Sequence, residues 1–447
     1  MPLAMFCTVC LTGAKGARSR EMAFERDATD RRASALDGLS DDVVLRLFAR
    51  APFTTHGTLH VVCRRLKSLL RSPIFQQQRV ASGLAEHGLV VAAGLRYDDR
   101  STGESLMLAS GRWRPIARMR VPRFQACSAV MANEDGQPEM WVMGGLDDGQ
   151  PEKWYSPAHH ANVMATVEAY NPRTNAWRSL PPLAHRRHGA VAGVVGGRVV
   201  VAGGFGAGGH DHRSVEAYTP NGWVALPDLP YAAWEAAACV LDGRLYVMGG
   251  MGSKKLQVLE LTEEDRFVWT VKGDQLFKKV VRREKWSWTV KADLPAVRRE
   301  ASCAVHDGKI WLVAGFAADD GQGKTNSAVI YDPASNTWAA GPPVPIPRVV
   351  MLNRPRRLTG LGLRSAAVPR LILRNQPSRA VGHNWVNDVT AATVDGKILV
   401  AAGDDEKAWV YNREGGAGEF AGGEWAGLLL DKRPIVLRHT HASLFLG

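Results

Sequence analysis

The chain has 447 residues, 45% hydrophobic and 22% charged, too long for one small domain and long enough for a large repeat architecture with an accessory module. A formal net charge of +12 would suit a nucleic-acid partner, but the excess is local: residues 346–380 carry +8, residues 272–291 carry +5, and the remainder sums to −1. No apolar run reaches the ~18 residues of a membrane-crossing helix, so neither a nucleic-acid surface nor a membrane partner is expected.

Residues 1–35 mix Arg, Ala, Ser and Gly with the acids Glu21, Glu25, Asp27 and Asp30. The apolar run Pro2 to Leu11 lacks the basic start of a secretory signal. A disordered tail is the reading this composition supports. Cys7 and Cys10 form a C-x-x-C with no second pair to complete a zinc site, and the other cysteines, at 63, 127, 239 and 303, are too dispersed for a disulfide framework. Reduced thiols, no metal and a cytoplasmic or nuclear location follow as expectations.

Residues 36–80 carry a compact helical pattern. Ser40 is a good N-cap with Asp41 and Asp42 behind it, and Val43, Val44, Leu47 and Phe48 recur at helical spacing. After Pro52 a second apolar stripe runs through Leu59, Val62, Cys63, Leu66, Leu69 and Leu70, and Pro73 ends it. So short a module builds little core alone and leaves a face to bury elsewhere.

From residue 89 onward one pattern recurs. A small-residue strand and a tight turn lead to an apolar strand ending in two small residues. A strand with Tyr follows, then a Trp strand ending in prolines. The copy from Arg187 reads "RHGAVAGVVGGRVVVAGG", then "SVEAYTP", Trp223 and "ALPDLP". Others hold Gly144-Gly145 with Tyr170 and Trp177, Gly249-Gly250, Ala314-Gly315 with Tyr331 and Trp338, and Ala402-Gly403 with Tyr411 and Trp425. Four strands of this kind make one twisted blade, the Gly pair allows close backbone approach, and Tyr and Trp supply the area buried between blades.

Residues 89–117 lack a first strand, while "RHTHASLFLG" from Arg438 has that pattern. Pairing the two ends removes exposed sheet edges, so six blades are expected, the first built from both ends. The small-residue pairs are separated by 59, 46, 65 and 88 residues. "WTVK" at 269–272 returns at 288–291, an offset of 19 that reduces 65 to 46. Insertions at 270–288 and 346–380 are expected to loop out or be poorly ordered.

The repeated Gly pair, Tyr and Trp resemble the kelch repeat over most of 89–447. Leu39, Asp41 to Val44, Leu47, Val62-Cys63-Arg64-Arg65, Leu69, Ser72 and Phe75 resemble the F-box, with Ser40 where that family has Pro and Leu66 where it has Trp. The whole chain is similar to F-box/kelch-repeat proteins of plant and green-lineage type. That resemblance implies a mainly all-β fold, a six-bladed kelch β-propeller after a helical F-box. It implies a role as substrate-recognition adaptor of a Skp-cullin-F-box ubiquitin ligase, without catalytic residues or cofactor. Leu39, Val43, Val44, Leu47, Phe48, Val62 and Leu66 would meet the Skp-family adaptor, which links to a cullin.

Arg123, Arg187, Arg299 and Arg438 each open a first strand, with Trp234 in that place in another copy. At equivalent positions they would ring one mouth of the channel and could recognise an acidic or phosphorylated target; the alternative is that each holds its own inter-blade turn. Gly204, Gly206 and Gly209 fit G-x-G-x-x-G, but a strand pattern follows instead of a helix. His210 with His212, and His439 with His441, lack a third ligand in sequence. Rival readings are a kelch interaction scaffold, for instance cytoskeletal, with a vestigial F-box, and a kelch-propeller copper oxidase, against which Tyr170, Tyr218, Tyr331 and Tyr411 are already used by the repeat.

Overall fold

The computed structural model describes residues 38–49, 64–72, 74–75, 78–79, 87–92, 103–109, 112–147, 162–272, 275–316, 325–345, 389–394, 397–402, 407–412, 424–429 and 441–445. The tail at 1–35, Val62, the Arg-rich segment 346–380, Arg438 and His439 lie outside the described residues. Two compact units separate, one of residues 1–86 with 445–447 and the other of residues 87–444.

In the smaller unit, helix α1 (Asp41–Ala49) and helix α2 (Arg64–Arg71) enclose Val44, Leu45, Ala49, Leu66, Leu70 and Phe75, with Leu39, Phe48 and Leu69 packed at the margin. Ser40 is the N-cap of α1: its carbonyl accepts the first intrahelical bond from Val44 N–H at 3.0 Å and its Oγ accepts Val43 N–H at 3.5 Å. Buried Arg79 donates to Ala49 O at 2.7 Å, satisfying a carbonyl at the helix end. Arg65 ties the start of α1 to α2, donating to Asp41 Oδ1 and to Leu39 O.

The larger unit is β throughout its described residues and forms a β-propeller. Five four-stranded antiparallel sheets, numbered here second to sixth, each come from one stretch of chain. The second contains Cys127–Ala132, Pro138–Met143, Val167–Asn171 and Ala176–Leu180; the third Val191–Val195, Arg198–Ala202, Val215–Thr219 and Gly222–Leu226. The fourth contains Ala237–Leu241, Arg244–Met248, Leu256–Lys272 and Gln275–Lys291; the fifth Ser302–His306, Lys309–Val313, Ala328–Asp332 and Thr337–Gly341. The sixth contains Val389–Val394, Lys397–Ala402, Lys407–Asn412 and Glu424–Leu429. Five blades are thus made of contiguous chain, against an expected six in all with the first built from both ends. A further composite sheet runs His441–Phe445, His87–Ala92, Ser105–Ala109, Arg112–Ile116.

The core lies in the seams between sheets. Second strands are apolar along their whole length because they are covered on both sides. Val199 and Val201 face the second sheet, beside Trp141, Met143 and Ala169, while Val200 and Ala202 face the fourth, beside Leu245, Val247 and Leu259. Equivalent clusters fill the next two seams, around Met248, Val258, Ile310 and Tyr331, and around Trp311, Val313, Ile398 and Tyr411. A Cβ on Gly144 or Gly203, both at positive φ, would overlap the carbonyl of the residue opening the next blade, Arg187 or Ala233.

The inserted segment does not loop out as expected. Leu256–Lys272 and Gln275–Lys291 pair continuously from Leu256↔Lys291 to Lys272↔Gln275, so the insertion lengthens the outer hairpin of the fourth sheet into a ribbon. Adding residues on both sides of one turn preserves antiparallel register, and backbone pairing propagates where the seam side chains stop.

Candidate functional site

Two of the arginines expected at the channel mouth, Arg123 and Arg187, are structural. Arg123 and Arg187 are both 0% exposed. Arg123 Nη1 donates to Gly144 O (3.0 Å) and Thr166 O (2.8 Å), and Nη2 donates to Glu168 Oε2 (2.8 Å). Arg187 repeats this with Gly203 O (2.8 Å), Ser214 O (2.9 Å) and Glu216 Oε1 (2.5 Å). Each guanidinium therefore binds the end of the second strand to the start of the third, and neither is available to a target. In the fifth sheet the equivalent residue is Arg298, not Arg299: its Nη1 donates to Ala314 O (3.1 Å) and Ser327 O (3.0 Å). Ala233, not Trp234, holds that place before the fourth sheet, since its carbonyl accepts Gly204 N–H as the Arg187 carbonyl accepts Gly145 N–H.

Phe124, His188, Trp234 and Arg299 form the next column. Beyond it, Gln125, Gly189, Glu235 and Glu300 all have φ between 49° and 58°. Gly189 N–H donates to Gln125 O, Glu235 N–H to Gly189 O and Glu300 N–H to Glu235 O, at 2.8–3.0 Å. These bonds step from sheet to sheet and link the four residues in one chain. They offset the ~1–2 kcal/mol cost of left-handed backbone at each non-glycine position. The side chains are cross-linked too: His188 Nδ1 lies 2.7 Å from Gln125 Oε1, Gln125 Nε2 donates to Glu235 Oε1 (3.2 Å), and Arg299 Nη1 donates to Glu235 Oε2 (2.8 Å). Phe205, His188 and Trp234 stack together, with Phe205 and Trp234 centroids 4.8 Å apart, and the Arg299 guanidinium lies 4.4 Å from the Phe316 centroid. Trp234 and Arg299, named from sequence on a wrong alignment, do join one cluster, with Gln125, His188, Phe205 and Glu235, which the sequence reading missed. The dipeptide Arg298-Arg299 hid the frame.

His210 and His212 lie 5.4 Å apart by ring centroids, and His185 lies 5.9 Å from His212. Burial, with the Arg187 guanidinium and the other two histidines nearby, holds His212 below the ordinary histidine pKa. Among the described residues no group of three or more His, Cys, Asp or Glu is placed to hold a metal ion.

The tyrosines pair in register with tryptophans, Tyr170↔Trp177, Tyr218↔Trp223, Tyr331↔Trp338 and Tyr411↔Trp425. The indole Nε1 of Trp177, Trp223, Trp288 and Trp338 donates to Ala117 O, Pro181 O, Pro227 O and Ala292 O, at 2.7–3.0 Å. Each outer strand is thereby fastened to the segment arriving from the preceding sheet.

These repeated elements match the kelch motif at residues 137–184, 186–224 and 298–345. Three stretches of this chain thus carry kelch motifs. An F-box/kelch-repeat protein of Arabidopsis thaliana is 26% identical over 242 residues, 46% of this chain and 59% of that protein; with the motif matches it supports a family of kelch/F-box type. Kelch-like protein 34 of Homo sapiens is 30% identical over 107 residues, 24% of this chain and 16% of that protein. The chain thus aligns with little over half the length of one curated relative and a sixth of the other. Among solved structures, that of YjhT matches with a TM-score of 0.48 and 12% identity, over 75% of this chain and 97% of that one.

In the smaller unit the residues expected to meet an adaptor divide. Val44 and Leu66 are buried in the unit's own core, and Leu39 and Phe48 pack against it. Val43 and Leu47, one helical turn apart on α1, are 41% and 54% exposed, as is Ile74 at 62%. Among the described residues no helix is long and apolar enough to cross a membrane.

Proposed function

We propose that this protein is a non-enzymatic adaptor of a Skp-cullin-F-box ubiquitin ligase. The helical unit would dock on the Skp-family adaptor, and the propeller would hold a target protein for ubiquitination. The observation that carries the reading is the Val43 and Leu47 pair, left exposed on α1 while Val44, Leu45 and Ala49 close the core behind it. Such anchors, i and i+4 on one helix face, suit helix-in-groove recognition. The kelch motifs and the Arabidopsis F-box/kelch relative support the same role. Catalysis would come from proximity of target and conjugating enzyme. The composite sheet acts, in this reading, as a sixth blade that closes the ring.

Co-expression with a Skp-family adaptor tests the docking face. Val43→Glu with Leu47→Glu should leave thermal unfolding unchanged and cut adaptor co-purification at least tenfold. Retention of the adaptor by that double variant refutes the assignment of this face. Absence of adaptor from the wild-type complex favours the second reading, a kelch interaction scaffold, which the human kelch-like relative also supports.

A further inference from the structure

The arginine column carries one irregularity that points to a ligand. Before the second and third sheets the buried guanidinium faces a carboxylate two residues along from its third-strand carbonyl partner: Thr166 leads to Glu168, and Ser214 to Glu216. That carboxylate also accepts backbone N–H groups two and three residues ahead of the arginine, from Val121 and Arg120 in one case and His185 and Ala184 in the other. Before the fourth sheet both charges are gone together. Ala233 replaces the arginine, and Gln257 replaces the acid and still accepts Tyr231 N–H at 2.8 Å.

Before the fifth sheet only half of the pair is replaced. Arg298 is retained, 5% exposed, with its two carbonyl bonds and a third bond to Ser327 Oγ at 2.7 Å. The residue two beyond Ser327 is Val329, half-buried, with no charge to offer. Among the described residues no carboxylate pairs with Arg298, and burial alone accounts for its pKa falling to about 10. Buried charges are ordinarily paired, because desolvation without a counter-charge is expensive.

We infer that Arg298 and the Ser327 hydroxyl it holds, with the backbone N–H of Ala296 as the counterpart in sequence of those of Val121 and His185, form an anion site that accepts one carboxylate or phosphate from outside the chain at the position Glu168 and Glu216 fill in the other blades. The frame is already built, since the same guanidinium-and-carbonyl geometry holds an anion in two sheets. Val329, packed against the fourth-to-fifth seam, is shorter than glutamate and offers no oxygen to Arg298. The site belongs to the propeller alone and does not depend on the adaptor reading.

The test is thermal unfolding of the full chain at constant ionic strength, with sodium phosphate in one arm and acetyl-glutamate amide in the other, each against chloride. Phosphate also stabilises proteins generally by exclusion from their surface, so the informative comparison is with Val329→Glu, which places a carboxylate in the site from within. The wild type should show a saturable rise of about 2–4 °C that Val329→Glu lacks. A response to phosphate alone assigns a phosphate, and a response to the glutamate derivative alone assigns an acidic side chain. Arg298→Ala, for which Ala233 is the precedent in the fold, should lose the response as well. An equal shift in either variant, or no saturable shift in the wild type with either compound, overturns the site.

Discussion

Single residues in this protein act mainly across seams. Arg123 is the clearest case: one guanidinium holds two strand ends and a buried carboxylate that itself caps two backbone N–H groups. Arg123→Ala strands the Glu168 charge in the interior and should cost about 3–5 kcal/mol in chemical denaturation. Replacing Arg123 and Glu168 together by Met and Leu should cost clearly less, because no unpaired charge remains. An equal loss in both variants would show that the carbonyl bonds, not the ion pair, dominate. The presence of these arginines was legible in sequence; their burial was not, since a guanidinium suits a mouth and a seam equally well. The frame shift at Arg298-Arg299 has the same root: two adjacent arginines satisfy one pattern, and only the left-handed turn at Glu300 decides which points inward.

At the scale of elements, the lengthened hairpin shows what local pairing can do without a core. Residues 270–272 pair with 275–277 and residues 278–288 with 259–269, and near the base Trp286 and Trp288 pack against the third-to-fourth seam while Arg198 pairs with Glu284. Deleting residues 270–288 brings Trp269 to the start of the second "TVK", so its indole can take the place of Trp288 against Pro227 O. The deletion should leave a single cooperative transition by circular dichroism, with Tm lowered by no more than about 4 °C for the lost base contacts. Loss of cooperativity would mean the ribbon is part of the blade. The 19-residue offset was visible from the duplicated "WTVK", but the conformation was not. A charged stretch reads as a loop until its two halves are seen to share one register. Helix α1 was equally legible as a helix, whereas the division of its apolar residues into core (Val44, Leu45) and exposed pair (Val43, Leu47) needed α2 in place.

At the scale of the whole molecule the composite sheet joins His441–Phe445 to His87–Ala92, pairing strands from the two ends of the β region. Removing residues 441–447 bares the backbone edge of His87–Ala92. It should lower Tm and produce concentration-dependent association in size-exclusion chromatography, as unpaired edges do. A truncated chain that stays monomeric with unchanged Tm would show that the terminal strand does not close the ring.

The sequence by itself determined the class of this protein. A kelch-type repeat of Gly pair, Tyr and Trp has one physical solution, sheets stacked face to face, because each copy presents an apolar strand that needs cover on both sides. It also determined that a short helical module precedes the repeats. Only the tertiary structure decided which arginines are buried, which residues are cross-linked from sheet to sheet, which face of α1 is left open, and that one buried guanidinium has lost its carboxylate. Those properties arise from contacts between residues far apart in the chain, and no pattern within a single repeat encodes what the neighbouring repeat places against it.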